Sequence, residues 1–169
     1  MKRVFLPGLF LFVLTACAGG LGSGITGNTE GQSTEDFDVA VVQSNTPMVM
    51  EGDTSADVRF DITVRNRTSQ PYTIRRIALQ SLGGSTYRLP ISTRSYEMQI
   101  APGTEAKLEY WASTEVSDST IGARAPLVLR TTLSVVGADG TPREEIFTGR
   151  VNGHVAVGVT KESRGGGWM

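Results

Sequence analysis

The side chains best suited to nucleophilic or acid-base chemistry at neutral pH are Cys17 and His154, the only cysteine and histidine among 169 residues. A lone cysteine excludes a disulfide within the chain and any zinc or iron-sulfur site that needs several cysteines. His154 lies in the run Val151-Asn-Gly-His-Val, and as a catalytic base it would need partners from elsewhere in the fold. This pattern favours a structural histidine over a catalytic one.

Adjacent acids at Glu144 and Glu145 do not form a carboxylate pair, because neighbouring residues of a strand point to opposite faces. The sequence contains no G-x-S-x-G, Walker or H-E-x-x-H motif. We therefore assign no catalytic residues, expect no metal or cofactor, and expect that the protein is not an enzyme. The formal charge of −1 gives no general attraction to nucleic acid.

The first seventeen residues have the order of a secretory signal. Lys2 and Arg3 precede the uncharged run VFLPGLFLFVLTA, which is followed by Cys17. This run is shorter than the roughly 20 residues that a membrane-spanning helix needs. An ordinary signal peptide with a coincidental cysteine is the simpler alternative to a lipid-modified one.

The ending Leu14-Thr15-Ala16-Cys17 resembles the lipobox of bacterial lipoproteins. The resemblance implies removal of residues 1–16 and a diacylglycerol joined to Cys17 through a thioether, with a further acyl chain on the new amino group. Several chains together anchor a protein firmly, where one alone is marginal. Ala18 follows the cysteine instead of the aspartate that retains many such proteins in the inner membrane. The expected location is therefore the bacterial cell envelope, at the outer membrane and facing the periplasm.

Residues 17–36 are rich in glycine, serine and threonine and contain few apolar side chains. This composition predicts a flexible tether with a root-mean-square span of about 25 Å. A flexible tail is expected at residues 161–169, where Trp168 follows three glycines. Docking through Trp168 is an alternative that we favour less.

From Phe37 onward the hydrophobic pattern has a period of two residues. Val58, Phe60, Ile62 and Val64 alternate with polar residues, and residues 106–112 and 127–135 do the same. Shorter candidate strands cover residues 39–43, 74–82, 86–91, 96–100 and 145–151, the last continuing through 155–159. Pro102-Gly103 and Asp139-Gly140 are turn signals between strands. The prediction is an all-β fold, a single sandwich of seven or eight antiparallel strands over residues 37–160.

Three runs carry a second resemblance: DITVRNRTSQPYTIRRIAL, IAPGTEAKLEY and LVLRTTLSVVGADGTPREEIFTGRV. They are similar to the immunoglobulin-like sandwich of the LEA14 or water-stress class and of many envelope modules. The resemblance covers residues 58–151, although Arg67 stands where that class usually has proline. It implies an immunoglobulin-like fold and, as one functional alternative, a stress-protective role.

Charge is segregated along the chain. Residues 59–94 contain seven arginines against Asp61, and residues 97–118 contain five acids against Lys107. A binding surface for an acidic partner or lipid head groups is one interpretation, with the candidate residues Arg59, Arg65, Arg67, Arg75, Arg76 and Trp111. The alternative, which we favour, is that opposite charges meet across neighbouring strands.

Strict alternation would place Trp111 on the polar side of its strand, as an exposed contact residue. A bulge would turn it inward, and we favour this buried position because sandwich cores often contain a tryptophan.

These features together predict a lipid-anchored envelope protein with a non-catalytic binding or scaffolding domain, an accessory component of an envelope assembly. The expected contacts are the membrane, through the lipid on Cys17, and an envelope protein, with no nucleic acid. An enzyme that uses His154 is the third and least favoured reading.

Overall fold

The computed structural model describes residues 31–50, 52–83, 87–116, 126–153 and 156–158. Cys17, His154, the predicted signal peptide, most of the predicted tether and the tail lie outside the described residues. The ten strands within them are β1 (Gln32–Ser33), β2 (Phe37–Gln43), β3 (Met48–Met50), β4 (Ser55–Asn66), β5 (Tyr72–Ser81), β6 (Ser92–Ile100), β7 (Glu105–Glu115), β8 (Leu127–Gly137), β9 (Pro142–Val151) and β10 (Ala156–Gly158). Among these residues there is no helix of a length and apolar character that would cross a membrane.

Eight of the strands form two antiparallel sheets of four. The first sheet has the order β1-β2-β4-β7 and the second has the order β6-β5-β8-β9. The chain crosses between the sheets after β4, β6 and β7, which gives the Greek-key connectivity of immunoglobulin-like sandwiches. The predicted all-β sandwich is confirmed. The remaining strands, β3 and β10, form a short parallel pair.

Alternating apolar residues from both sheets form one core. Val58, Phe60, Ile62 and Val64 of β4 are all buried, as the sequence pattern predicts. They face the second sheet, whose fully buried side chains include Ile74, Ile77, Leu79, Leu127, Leu129 and Leu133. Burial of these two faces supplies the main stabilising term of the fold, at about 25 cal/mol per Å² of apolar surface.

Two predicted strands differ from the structure. The predicted strand at 86–91 is absent from its described part, residues 87–91, where Pro90 has no N–H to donate. Arg88 makes only an isolated bridge to Glu115, and β6 begins at Ser92. The last long strand ends at Val151, and β10 pairs with β3 instead of continuing along β8. After this strand end Gly153 is buried, and a Cβ there would lie 3.2 Å from that of Leu127, so a larger residue would require a shift.

Both predicted turns are present. Gly103 has φ = +70° and the Thr104 N–H donates to the Ala101 carbonyl, as in a type II turn with Pro102 before the glycine. Gly140 has φ = +80° and ends a three-residue hairpin loop between β8 and β9. These turns fix the registers of β7 and β9.

A buried asparagine joins the two sheets. Asn66, the last residue of β4, is completely buried, and its Nδ2 donates to the Gln70 carbonyl at 2.7 Å and to the Ile100 carbonyl of β6 at 3.3 Å. Its Oδ1 accepts from the backbone N–H of Thr68 at 3.0 Å and from the Thr68 hydroxyl at 2.8 Å. The amide thus orders the loop that carries the chain from one sheet to the other.

Side chains of β6 cover the free edge of β7. Arg94 Nε donates to the Trp111 carbonyl at 2.7 Å, and the Tyr96 hydroxyl donates to the Glu109 carbonyl at 3.0 Å. Desolvation raises the pKa of Tyr96, so this phenol remains a donor at neutral pH. Covering these carbonyls removes hydrogen-bond acceptors that an added strand would use.

An ion-pair cluster holds the start of the domain against the last hairpin. The Arg143 guanidinium lies 2.5 Å from an Asp36 oxygen and 3.2 Å from a Glu145 oxygen, and it donates to the Tyr72 hydroxyl at 3.1 Å. The Tyr72 ring packs edge-on against Phe37 at a centroid distance of 5.3 Å. The N-terminal end of β2 therefore sits at the β8–β9 hairpin end of the sandwich.

We predict that Asn66→Ala lowers the free energy of unfolding by about 2 to 3 kcal/mol, because it leaves buried donors and acceptors without partners. Denaturant unfolding of the purified protein measures this change. Asn152→Ala, at an exposed loop position, is the matched control and should change stability little. Equal stability of the two variants would contradict the structural role of Asn66.

Candidate binding surface

The structure distributes the predicted surface residues over opposite sides of the sandwich. Arg59, Arg65 and Trp111 lie on the outer face of the first sheet, and Arg67 follows in the loop after β4. Arg75 and Arg76 lie on the outer face of the second sheet. The six residues therefore do not form one surface.

Most of these arginines are paired with acids of neighbouring strands. The shortest N···O distances are 2.7 Å for Arg59 to Glu109, 2.5 Å for Arg75 to Glu97 and 2.5 Å for Arg76 to Glu144. Arg67 lies 3.4 Å from Asp38. This arrangement agrees with the interpretation favoured from the sequence, in which opposite charges meet across neighbouring strands. Exposed pairs of this kind contribute little to stability.

A bulge explains why two consecutive arginines share the outer face. The register of β5 shifts between Ile74 and Arg76 against both neighbouring strands. The extra residue interrupts the alternation, so Arg75 and Arg76 are both exposed while Ile74 and Ile77 are both buried.

Trp111 is exposed, and the expectation that a bulge buries it is wrong. The register between β4 and β7 runs without a shift from Ser55 to Arg65, so strict alternation directs the indole outward with 44% of its surface exposed. The Arg59 guanidinium lies 5.6 Å from the ring centroid in a cation-π contact. The core is filled instead by Tyr110, Phe60 and Phe37.

The outer faces of the two sheets differ in charge. The first carries six acids and three bases: Asp38, Asp57, Asp61, Glu105, Glu109, Glu115, Arg59, Arg65 and Lys107. The second carries two acids and four bases: Glu97, Glu144, Arg75, Arg76, Arg130 and Arg150. The sandwich therefore has an acidic side and a basic side.

On the basic side, two arginines lack acidic partners. Arg130 of β8 and Arg150 of β9 are exposed, and neither forms an ion pair within the described part of the chain. Arg130 lies opposite Thr148 and Arg150 lies opposite Val128, so the two arginines are diagonal neighbours. Their Cα atoms are about 7 to 8 Å apart.

Exposed apolar side chains surround these arginines. The exposed fractions are 52% for Ile146, 71% for Ile91 and 41% for Leu82. Ile146 is an outward residue of β9, Leu82 continues β5 through a bond from its N–H to the Val128 carbonyl, and Ile91 precedes β6. We call this set the basic apolar patch: Leu82, Ile91, Val128, Arg130, Ile146 and Arg150.

The sequence did not reveal the patch, because its members come from four strands or strand ends. The alternation of residues 127–135 places Arg130 outward, but only the strand order shows that no acid lies beside it. Arg150 and Ile146 alternate in the same way along β9. Outward arginines on strands without nearby acids are a sequence signal that would have indicated Arg130 and Arg150, a third of the patch.

The described part of the chain shows no arrangement of ligands for a metal. Among the described residues, no three histidine, cysteine, aspartate or glutamate side chains lie close enough to hold an ion. Glu144 and Glu145 point to opposite faces, as predicted, and contact Arg76 and Arg143 respectively. His154 lies outside the described residues.

We predict that Arg76→Gln raises the pKa of Glu144. Hydrogen bonds from Ser134 and Arg76 hold this pKa below its ordinary value. Because the pKa of Glu144 is lower in the folded state than in the unfolded state, ionised Glu144 stabilises the fold at a pH above its unfolded-state pKa. This stabilisation is lost as the pH falls through the folded-state pKa. NMR titration of the side-chain carboxyl carbon measures the shift. Arg130→Gln should leave it unchanged, and an equal effect of both variants would contradict the pairing.

No protein-family model matches the chain, and no curated protein matches it. A structural-genomics target, SoR45, is similar in structure with a TM-score of 0.52, at 13% identity over 70% of this chain and 87% of that one. The yeast GGA1 GAE domain has a TM-score of 0.41 at 15% identity, covering 72% of this chain and 96% of its own. The putative ApaA protein from Bordetella pertussis has a TM-score of 0.39 at 18% identity, covering 72% and 94%. The similarity to SoR45 supports the fold alone.

Proposed function

We propose that the protein is a lipid-anchored component of the bacterial envelope whose sandwich domain binds another envelope protein and performs no catalysis. The basic apolar patch is the observation that carries the binding role. In this proposal the lipid on Cys17 holds the domain at the outer membrane, on the periplasmic side. The predicted tether of residues 17–36, whose residues 32 and 33 pair with β2 as strand β1, lets the domain reach its partner.

The anchor part of the proposal rests on residues 1–17. Their basic, apolar and small segments and the Leu14-Thr15-Ala16-Cys17 ending are typical of lipoproteins. A tether about 25 Å in root-mean-square span confines the domain near the membrane and raises its effective concentration toward a partner there. Modest affinity at the binding face is then sufficient.

The binding part rests on the composition of the patch. Soluble domains seldom group several exposed aliphatic side chains without a use, and arginine is enriched where proteins contact one another. Three of the five large hydrophobic side chains that are exposed among the described residues lie in this patch, namely Leu82, Ile91 and Ile146. The sheet under them is rigid, so little entropy is lost when a partner binds.

We predict that Cys17→Ser releases the protein from the membrane fraction and abolishes the incorporation of labelled palmitate. Both effects follow from loss of the thiol that forms the thioether. Membrane fractionation and labelling of cells measure them. Ser23→Ala, within the predicted tether, is the control, and palmitate incorporation by the Cys17→Ser protein would contradict the proposed anchor.

We predict that a photo-crosslinking amino acid at Thr148 captures an envelope protein in living cells. Thr148 is exposed beside Arg130 and Ile146, so a bound partner would lie within reach. The same amino acid at Ser113, an exposed position of β7 on the opposite side, is the matched control. Equal capture from both positions, or none from Thr148, would contradict binding through the patch.

A further inference from the structure

We infer that the partner of the basic apolar patch is an acidic protein segment, with two carboxylates about 7 Å apart next to an aliphatic or aromatic side chain. This inference rests on the proposed binding function and specifies the chemistry of what is bound. The two carboxylates would pair with Arg130 and Arg150. The apolar side chain would pack against Val128 and Leu82, which are neighbours across β5 and β8.

The charge of the patch supports an acidic partner. Six arginines of the described residues form ion pairs within the domain: Arg59, Arg67, Arg75, Arg76, Arg88 and Arg143. Arg65, which forms no such pair, still lies between Asp38 and Glu105 in the strand register. Arg130 and Arg150 instead have only Gln80, Thr148 and Val128 as cross-strand neighbours.

Like charges on diagonal neighbours of a sheet repel each other, and among the described residues no acid pairs with either arginine to offset the repulsion. A pair of carboxylates from a partner would offset it. Because guanidinium is planar and weakly hydrated, it can form paired hydrogen bonds with a carboxylate at a protein interface.

The spacing of the arginines restricts the partner. Diagonal neighbours on a sheet are about 7 to 8 Å apart at their Cα atoms. Residues i and i+2 of an extended segment lie about 7 Å apart on one face. An extended segment with acids two residues apart therefore matches the pair.

The test combines the crosslinker at Thr148 with matched arginine variants of the full chain. Arg130→Gln with Arg150→Gln should lower the yield of the crosslinked partner about tenfold, because both charge contacts are lost. Arg75→Gln with Arg76→Gln makes the same change in net charge on the same sheet, at arginines that are already paired, and should leave the yield unchanged. Circular dichroism of each purified variant checks the fold.

Mass spectrometry of the adduct identifies the molecule that the crosslinker has captured. A partner peptide with acids two residues apart, whose replacement by asparagine also lowers the yield, would support the inference. Capture of phospholipid, of a glycan strand or of a second copy of this chain would overturn it. A protein partner whose yield is equal in both arginine variants would overturn it while leaving the proposed binding function intact. Absence of any adduct would overturn both.

Discussion

The buried amide of Asn66 is the interaction on which the connection between the two sheets depends. β4 ends inside the first sheet, and the chain must turn at once to begin β5 in the second. Asn66 satisfies the backbone groups of that turn and bonds to Ile100 in the opposite sheet. Without the Asn66 amide, the buried end of β4 would leave donors and acceptors unpaired at a cost comparable to several surface ion pairs. The crossing places β4 and β5 in different sheets.

The order of the strands decides which charged residues meet. The run of arginines in residues 59–94 and the run of acids in residues 97–118 are distant in sequence, but β4 lies beside β7 and β5 lies beside β6. Arginines and acids from these runs therefore neutralise one another. Strands β8 and β9 contribute Arg130 and Arg150 to the second sheet, at the end away from their hairpin. Among the described residues, no acid pairs with these two arginines. The basic apolar patch is what remains after the pairing.

The edges of the sheets are less suited to binding than their outer faces. The carbonyl groups of β7 accept hydrogen bonds from Arg94 and Tyr96, so that edge offers few groups to another chain. The inward position of Arg143 places a charged group near the N-terminal end of β9. Charged and covered edges discourage unspecific strand pairing. A flat outer face is therefore better suited to selective binding in this domain than an edge.

Alternation of apolar and polar residues was sufficient to predict the fold class and the long strands β4, β7 and β8. Alternation depends only on the two-residue repeat of an extended backbone. The same rule placed Glu144 and Glu145 on opposite faces. It was insufficient near Pro90, which has no N–H to donate, and after Val151, where the next strand pairs with β3 in place of β8. The bulge at Arg75 likewise depends on the neighbouring strands.

The sequence by itself determined the alternating strands, the turns at Gly103 and Gly140 and the lipobox-like ending at Cys17, because each depends on residues that are close along the chain. Only the tertiary structure decided that Trp111 is exposed and that Arg130 and Arg150 have no acidic cross-strand neighbours within the described residues. These properties depend on which strands lie side by side, and the sheet order is set by packing and buried hydrogen bonds between distant segments. A binding surface assembled from several strands is for this reason visible only in the folded domain.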